Sequence, residues 1–431
     1  MFNFNLFKKF KLLILLFLLI LNYNELLKIN ITNIIFKHTD KNDINSLIYK
    51  LNVSKNNTKH NNIIFADYYL SKICYDKSAF SLFQYYLNNN IDIPYYIINS
   101  ESDFYKSLLK KNQTRNLIIY NTRNLTAFYQ NLFNYLKDTK IIVNAYSIPL
   151  MQYIAGKVPY IEYLKINHGI KYFKELYAKT EFIQELGSKK NVICSSPFEY
   201  ELYIKVLKYK PNHIYNASLS RYERFKYIKK NNSESKCILV SFTYRSYNKY
   251  IFEKSEYKKN LDKFLGNKKL IKFLLRKNIE LIYIPHHREV ELGKQYLTNT
   301  YKYSKILNQS NLEHCIERCS LFITDFSSLS FDFMFQNKPV LFYAIDKNDD
   351  NTIIEKKFMK ESNDTIYFGN FFFNQNLLID KIKYYINNNF NLGNDLQHKY
   401  ESVFHFKENI HKRLSEIINK ITNNTIVSNN L

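Results

Sequence analysis

Four short stretches of the chain carry residue types able to move a proton or hold a phosphate. Asn167-His168-Gly169 sets an imidazole beside a glycine. Phe242-Thr243-Tyr244-Arg245 and Pro285-His286-His287-Arg288 end in cations, and Asp325-Phe326-Ser327-Ser328 offers a carboxylate and two hydroxyls. A neutral imidazole near pH 7 accepts a proton from an attacking hydroxyl. Guanidinium, imidazole and hydroxyl groups gathered on one edge suit the oxygens of a pyrophosphate. Alone, each stretch has a plainer reading. A His-Gly pair is more often a turn, and serines before an apolar helix are more often ordinary caps.

Each stretch follows an apolar run of strand length. Strand patterns fall at residues 62–65, 94–98, 117–120, 141–145, 160–166 and 192–194, with helical patterns between them at 125–136 and 198–207. After a polar, basic interval at 229–236, a second series runs through 237–242, 279–284, 321–324 and 340–343. Such alternation predicts mostly parallel sheets covered by helices, an α/β fold with two Rossmann-like doubly wound domains. The expected units are residues 60–228, residues 236–395, and a helix and tail at 396–431, with a helical stretch at 401–420 packing back across the pair. In open α/β sheets ligands bind beyond the carboxyl ends of the strands. Three strand ends of the second unit deliver an Arg, a His-His-Arg cluster and a hydroxyl-bearing turn. Ser327 or Ser328 is expected to cap the next helix, whose free N–H groups suit a phosphate oxygen. Gly169 is expected to permit a tight turn that exposes His168 toward the cleft.

The 431 residues carry 62 Lys plus Arg against 38 Asp plus Glu, a formal charge of +24. That field favours anionic partners: nucleotide, phosphopolymer or anionic lipid. Abundant Lys, Asn, Ile, Tyr and Phe with no Trp and only 7 Gly also fits the drift of an AT-rich bacterial genome. No nucleic-acid-binding module is present in the sequence, so no nucleic-acid partner is expected. The five cysteines, Cys74, Cys194, Cys237, Cys315 and Cys319, form no disulfide framework and fit a reducing compartment. His314, Cys315 and Cys319 lack further ligands at zinc spacing and read as helix residues. At the N-terminus, Lys8, Lys9 and Lys11 precede an apolar run at 12–21, shorter than the roughly 20 residues of a spanning helix. No small-residue cleavage site comes after it. Residues 1–25 therefore read as an interfacial anchor at the cytoplasmic face of a membrane, with a helix docked on the protein itself as the alternative.

The motifs together resemble the CDP-glycerol glycerophosphotransferase family, which builds teichoic-acid and related capsular phosphopolymers. The resemblance rests on Asp325-Phe326-Ser327-Ser328, Phe331-Asp332 and Lys338-Pro339-Val340 with Phe342-Tyr343, in order and spacing. Thr243-Tyr244-Arg245, His286, His168-Gly169 and Ser220-Arg221-Tyr222-Glu223 are similar to further family elements, across residues 160 to 346. The resemblance implies a glycosyltransferase-B architecture, two domains facing across a cleft. It implies that His168 is the general base and that Arg245, His286, Ser327 and Ser328 hold the donor phosphates. Gly169, Arg221, Arg288 and Asp325 are supporting candidates, Arg221 as a phosphate anchor or hinge. It implies transfer of a polyol phosphate from a CDP-activated donor to a polymer or lipid-linked hydroxyl. No cofactor and no protein-bound metal are expected, although a divalent cation can accompany the pyrophosphate. Two other readings fit the same residues: a sugar-nucleotide glycosyltransferase of this architecture, and a non-catalytic protein that binds anionic polymer or membrane.

Overall fold

The computed structural model describes residues 41–54, 60–67, 77–121, 123, 125–146, 148–170, 190–227, 236–243, 245, 249–286, 289, 304–346 and 370–428. The expected anchor at 1–25, Cys74, Tyr244, His287 and Arg288 lie outside them. The first parallel sheet comprises β1 (Asn62–Ala66), β2 (Ile93–Asn99), β3 (Leu117–Tyr120), β4 (Thr139–Asn144), β5 (Glu162–Lys165), β6 (Asn191–Cys194) and β7 (Ile214–Asn216). Its strand order is β3-β2-β1-β4-β5-β6-β7. The second comprises β8 (Cys237–Val240), β9 (Glu280–Tyr283), β10 (Lys305–Ile306), β11 (Leu321–Thr324), β12 (Val340–Tyr343) and β13 (Asn370–Phe372), ordered β10-β9-β8-β11-β12-β13. Every pairing between described strands is parallel.

Helices on both faces explain why β1, β8, β11 and β12 are buried at every position: a strand covered twice reads as a continuous apolar run. In each sheet the chain winds outward from its first strand, then crosses to the other side. That reversal sets a switch point between β1 and β4, and another between β8 and β11.

The structure departs from the sequence reading at the edges. β7, β10 and β13 were not anticipated; each is two or three residues long at a sheet edge, too short to show a period. The first unit also begins earlier than residue 60. Helix Lys41–Val53 places Ile44, Leu47 and Leu51, spaced one helical face apart, in the core beneath β1 and β4. The expected helix at 401–420 is instead two, Asn394–Ser402 and Ile410–Ser428. Between them Val403 and Phe404 are buried and Asn409 adopts a left-handed backbone, φ 51°, which turns the chain.

The last helix returns to the first unit. The Ile410 N–H donates to the Glu223 carboxylate at 2.8 Å, and the His411 ring lies 3.0 Å from both Ser81 Oγ and the Ser220 carbonyl. One hydrophobic core runs through both units, joining Ile166, Leu219 and Tyr222 to Phe326, Phe331 and Phe335. Among the described residues no helix is long and apolar enough to cross a membrane.

Tyr400, fully buried on helix Asn394–Ser402, accepts the Val340 N–H at the start of β12 at 3.1 Å. Tyr400→Phe leaves that amide unpaired, which is expected to cost about 1–3 kcal/mol. A urea titration should show a lower midpoint with an unchanged slope.

Candidate active site

The His168 turn is built by its neighbours. Asn167 follows β5 in a left-handed conformation, φ 58°, and is buried. Its amide donates to the Ile193 carbonyl at 2.8 Å and to the Tyr203 phenol at 2.6 Å, so the turn cannot rotate freely. The next residue, His168, is thereby turned outward and exposed. Tyr146, just past β4, stacks on its imidazole with centroids 4.1 Å apart and planes 6° from parallel. Gly169 was expected to supply the unusual backbone angle, but Asn167 supplies it. The glycine is needed for space: a Cβ there would meet Ser328 Oγ at 2.8 Å and Ser328 Cβ at 3.1 Å. The first unit's His168–Gly169 turn and the second unit's serine turn are thus in contact.

The serine turn also differs from expectation. Neither serine caps a helix; the helix is short, Ser330–Phe335, and Leu329 stands at its N-cap without a side-chain bond. Ser327 Oγ accepts the Leu329 N–H at 3.3 Å, and the Ser327 and Ser328 carbonyls accept from Ser330 and Phe331. A helix of six residues has little macrodipole, so its N-terminus offers little to an anion, and both serine side chains stay half-buried.

Beneath that turn lies a buried charge knot at the β8/β11 switch point. Asp325 accepts the Thr243 N–H at 2.9 Å, the Thr243 hydroxyl at 2.8 Å, the Phe326 N–H at 2.6 Å and Arg245 Nη1 at 2.7 Å. Burial alone would raise this carboxyl; the Arg245 guanidinium and the backbone N–H groups of Thr243 and Phe326 outweigh it and hold the group below the usual carboxylate range. Arg245 is 2% exposed and forks onto Asp346 through Nε at 2.6 Å and Nη2 at 2.7 Å. Arg245, expected among the groups that hold the donor phosphates, is thus enclosed between Asp325 and Asp346. Its charge is matched by two carboxylates, and its role here is to brace the β8, β11 and β12 ends.

Arg245 also lies over the ring of Tyr257, 5.1 Å from its centroid. The Tyr257 and Tyr283 hydroxyls donate to the two oxygens of buried Glu289, each at 3.1 Å. Glu289 in turn donates its backbone N–H to the His286 carbonyl at 2.8 Å. His286, half-buried past β9, is therefore supported from below. Because β9, β8 and β11 are adjacent, His286, Thr243 and the serine turn occupy neighbouring strand ends. Arg221 is likewise enclosed. It is buried, forks onto Asp332, and donates to the His168 carbonyl.

Residue types and spacing alone did not single out Tyr146, Asp346, Glu289 or the part played by Asn167. A signal existed for Tyr146, which stands just past the carboxyl end of β4, where an open sheet presents its ligand-facing groups. The acids had no such signal, since each matters only through a partner far along the chain. Cys194, Cys237, Cys315 and Cys319 are free and buried, and among the described residues no group of three or more His, Cys, Asp or Glu side chains is gathered as a metal site.

Burial pushes the Glu289 carboxyl up to about 7, against the hydrogen bonds from Tyr257 and Tyr283 that pull it down. The native state therefore holds a proton that the unfolded chain releases near pH 4.5. Stability from this group is full below that value and declines as pH rises to about 7, by about 3 kcal/mol in all. Glu289→Gln is expected to flatten that slope in denaturant titrations at pH 4.5 to 7.5.

Residues 47–421 match the family described as CDP-Glycerol:Poly(glycerophosphate) glycerophosphotransferase. GgaB, a minor teichoic acid biosynthesis protein of Bacillus subtilis (strain 168), is 24% identical over 377 residues. That alignment covers 81% of this chain but only 39% of GgaB, so the chain spans well under half the relative's length. A structure of the wall teichoic acid polymerase TagF superposes with a TM-score of 0.60 at 15% identity, covering 92% of this chain and 96% of that one. An S. aureus MnaA–UDP co-structure gives 0.50 at 11% identity, covering 84% and 95%. At these identities the likeness is one of fold, and it agrees with two Rossmann-like units in a glycosyltransferase-B arrangement. The match over nearly the whole described chain decides the family: the chain belongs to the CDP-glycerol:poly(glycerophosphate) glycerophosphotransferases.

Proposed function

We propose that this protein transfers glycerol phosphate from CDP-glycerol to a hydroxyl of a polymer or lipid-linked acceptor. The observation that carries this reading is the contact between Gly169 and Ser328, which brings the turn bearing the exposed His168 against the serine turn. Family membership supplies the donor class. His168 takes the proton of the acceptor hydroxyl as its oxygen attacks the β-phosphorus. The bond from that phosphorus to the bridging oxygen breaks, CMP leaves, and a phosphodiester forms. Ser327, Ser328 and His286 stabilise the equatorial and leaving oxygens, as phosphoryl transfer requires. Arg245 and Asp325 serve these groups from below by holding the strand ends. A divalent cation bound to the pyrophosphate is compatible with the scheme.

The acceptor side belongs to the first unit, where Tyr146 shares the edge with His168. The run of lysines and apolar residues at 1–25 supports attachment to the cytoplasmic face of the membrane, where a lipid-linked acceptor is presented.

Nucleotide release from CDP-glycerol and from a panel of sugar nucleotides, with membrane extract as acceptor, tests the reading. Acceptor-dependent CMP release is expected, reduced about 10²–10⁴-fold in His168→Ala. Ser327→Ala/Ser328→Ala should lose about 10²–10³-fold. Release of a nucleoside diphosphate from a sugar donor would keep the fold and overturn the reaction. Salt-sensitive polymer binding without turnover of any donor would return the protein to the binding class.

A further inference from the structure

Arg221 lies at the start of the 3-10 segment Ser220–Tyr227, which comes after the last strand of the first sheet and leads into the second unit. Its Nε and Nη2 donate in parallel to the two Asp332 oxygens, at 2.8 Å and 2.6 Å. The two side chains are 6% and 0% exposed. The remaining nitrogen, Nη1, donates to the main-chain carbonyl of His168. One guanidinium thus binds two segments lying 53 and 111 residues away in the chain. Asp332 sits in the helix that begins two residues after Ser328, and the next residue after His168 is the glycine that Ser328 touches. A bidentate fork fixes direction as well as distance, which a lysine ammonium does not.

We propose that Arg221 and Asp332 are positioning residues whose buried pair latches the His168 turn to the serine turn, setting the separation between base and phosphate-binding hydroxyls. The proposal rests on the roles assigned to His168 and the serines under the proposed function. A buried ion pair is a poor source of stability, since apolar replacements are often neutral or better. Its third bond, to the His168 carbonyl, is what a purely structural pair would not need. The imidazole is held on its face by Tyr146 and through its own main chain, and Arg221 grips that main chain directly.

Two measurements on the intact chain test the latch. In hydrogen exchange, Arg221→Lys should speed exchange about tenfold or more in peptides spanning both 167–170 and 327–332, while sheet-centre peptides match wild type. Unchanged exchange in these two segments overturns the latch, whatever the donor proves to be. In steady-state CMP release from CDP-glycerol, Arg221→Lys and Asp332→Asn should each lower kcat about 10–100-fold, with the donor KM within about threefold. The double variant should lose no more than the worse single, because both remove one contact. Losses that multiply, or a kcat unchanged per folded molecule as counted by CMP binding, would reduce the pair to a structural brace. A wild-type chain that releases no CMP overturns the reaction instead, and the exchange result then decides the latch by itself.

Discussion

Gly169 and Ser328 approach so closely that no side chain fits between them. The surrounding structure is arranged to keep that contact in register. On one side Asn167 holds a left-handed backbone through two hydrogen bonds, and Tyr146 lies flat against the exposed imidazole. On the other, the Asp325 carboxylate gathers Thr243, Phe326 and Arg245 so that the chain can turn at the serines. Across the gap Arg221 bonds to both sides at once. A protein whose two units met only through water would leave these groups free to drift. Here a continuous apolar core, including Tyr222 against Phe335 at 4.5 Å, makes the contact rigid.

The two arginines that look most suited to phosphate are both buried and neutralised. Each is matched by carboxylates at hydrogen-bond distance, Arg221 by Asp332 and Arg245 by Asp325 and Asp346. Breaking such a pair by removing one partner is costly, because the other charge is left stranded in a low-dielectric interior. The exposed His168 turn and the half-buried serine turn thus sit on a frame made stiff by buried charge. The excess of 62 basic over 38 acidic residues acts from farther away, as a field that concentrates anions around the cleft.

Several elements were legible because their signal is local. Parallel strands covered on both faces read as apolar runs, and β1, β11 and β12 were placed to within about a residue. The edge strands β7, β10 and β13 were not legible, since two or three residues carry no period and their pairing partners are remote. Gly169 shows the same division within one residue. Its presence beside His168 is visible in the sequence, but its physical cause is not. The left-handed angle belongs to Asn167, and the glycine answers to a serine more than 150 positions later.

Local sequence was enough to find the longer strands along the chain and the residue types delivered past their carboxyl ends. Those come from short-range rules: apolar runs form strands, polar breaks end them, and parallel topology points every end the same way. Folding settled which of those residues stay at the surface and which are enclosed beneath it. Arg245 and His286 look equally available in the chain, yet one is enclosed by Asp346, 101 residues away, and the other stands half-buried at the sheet edge. The physical reason is charge pairing across folded distances. A cation that carboxylates of the same chain enclose is withheld from a ligand, and that is settled by packing rather than by neighbours in sequence.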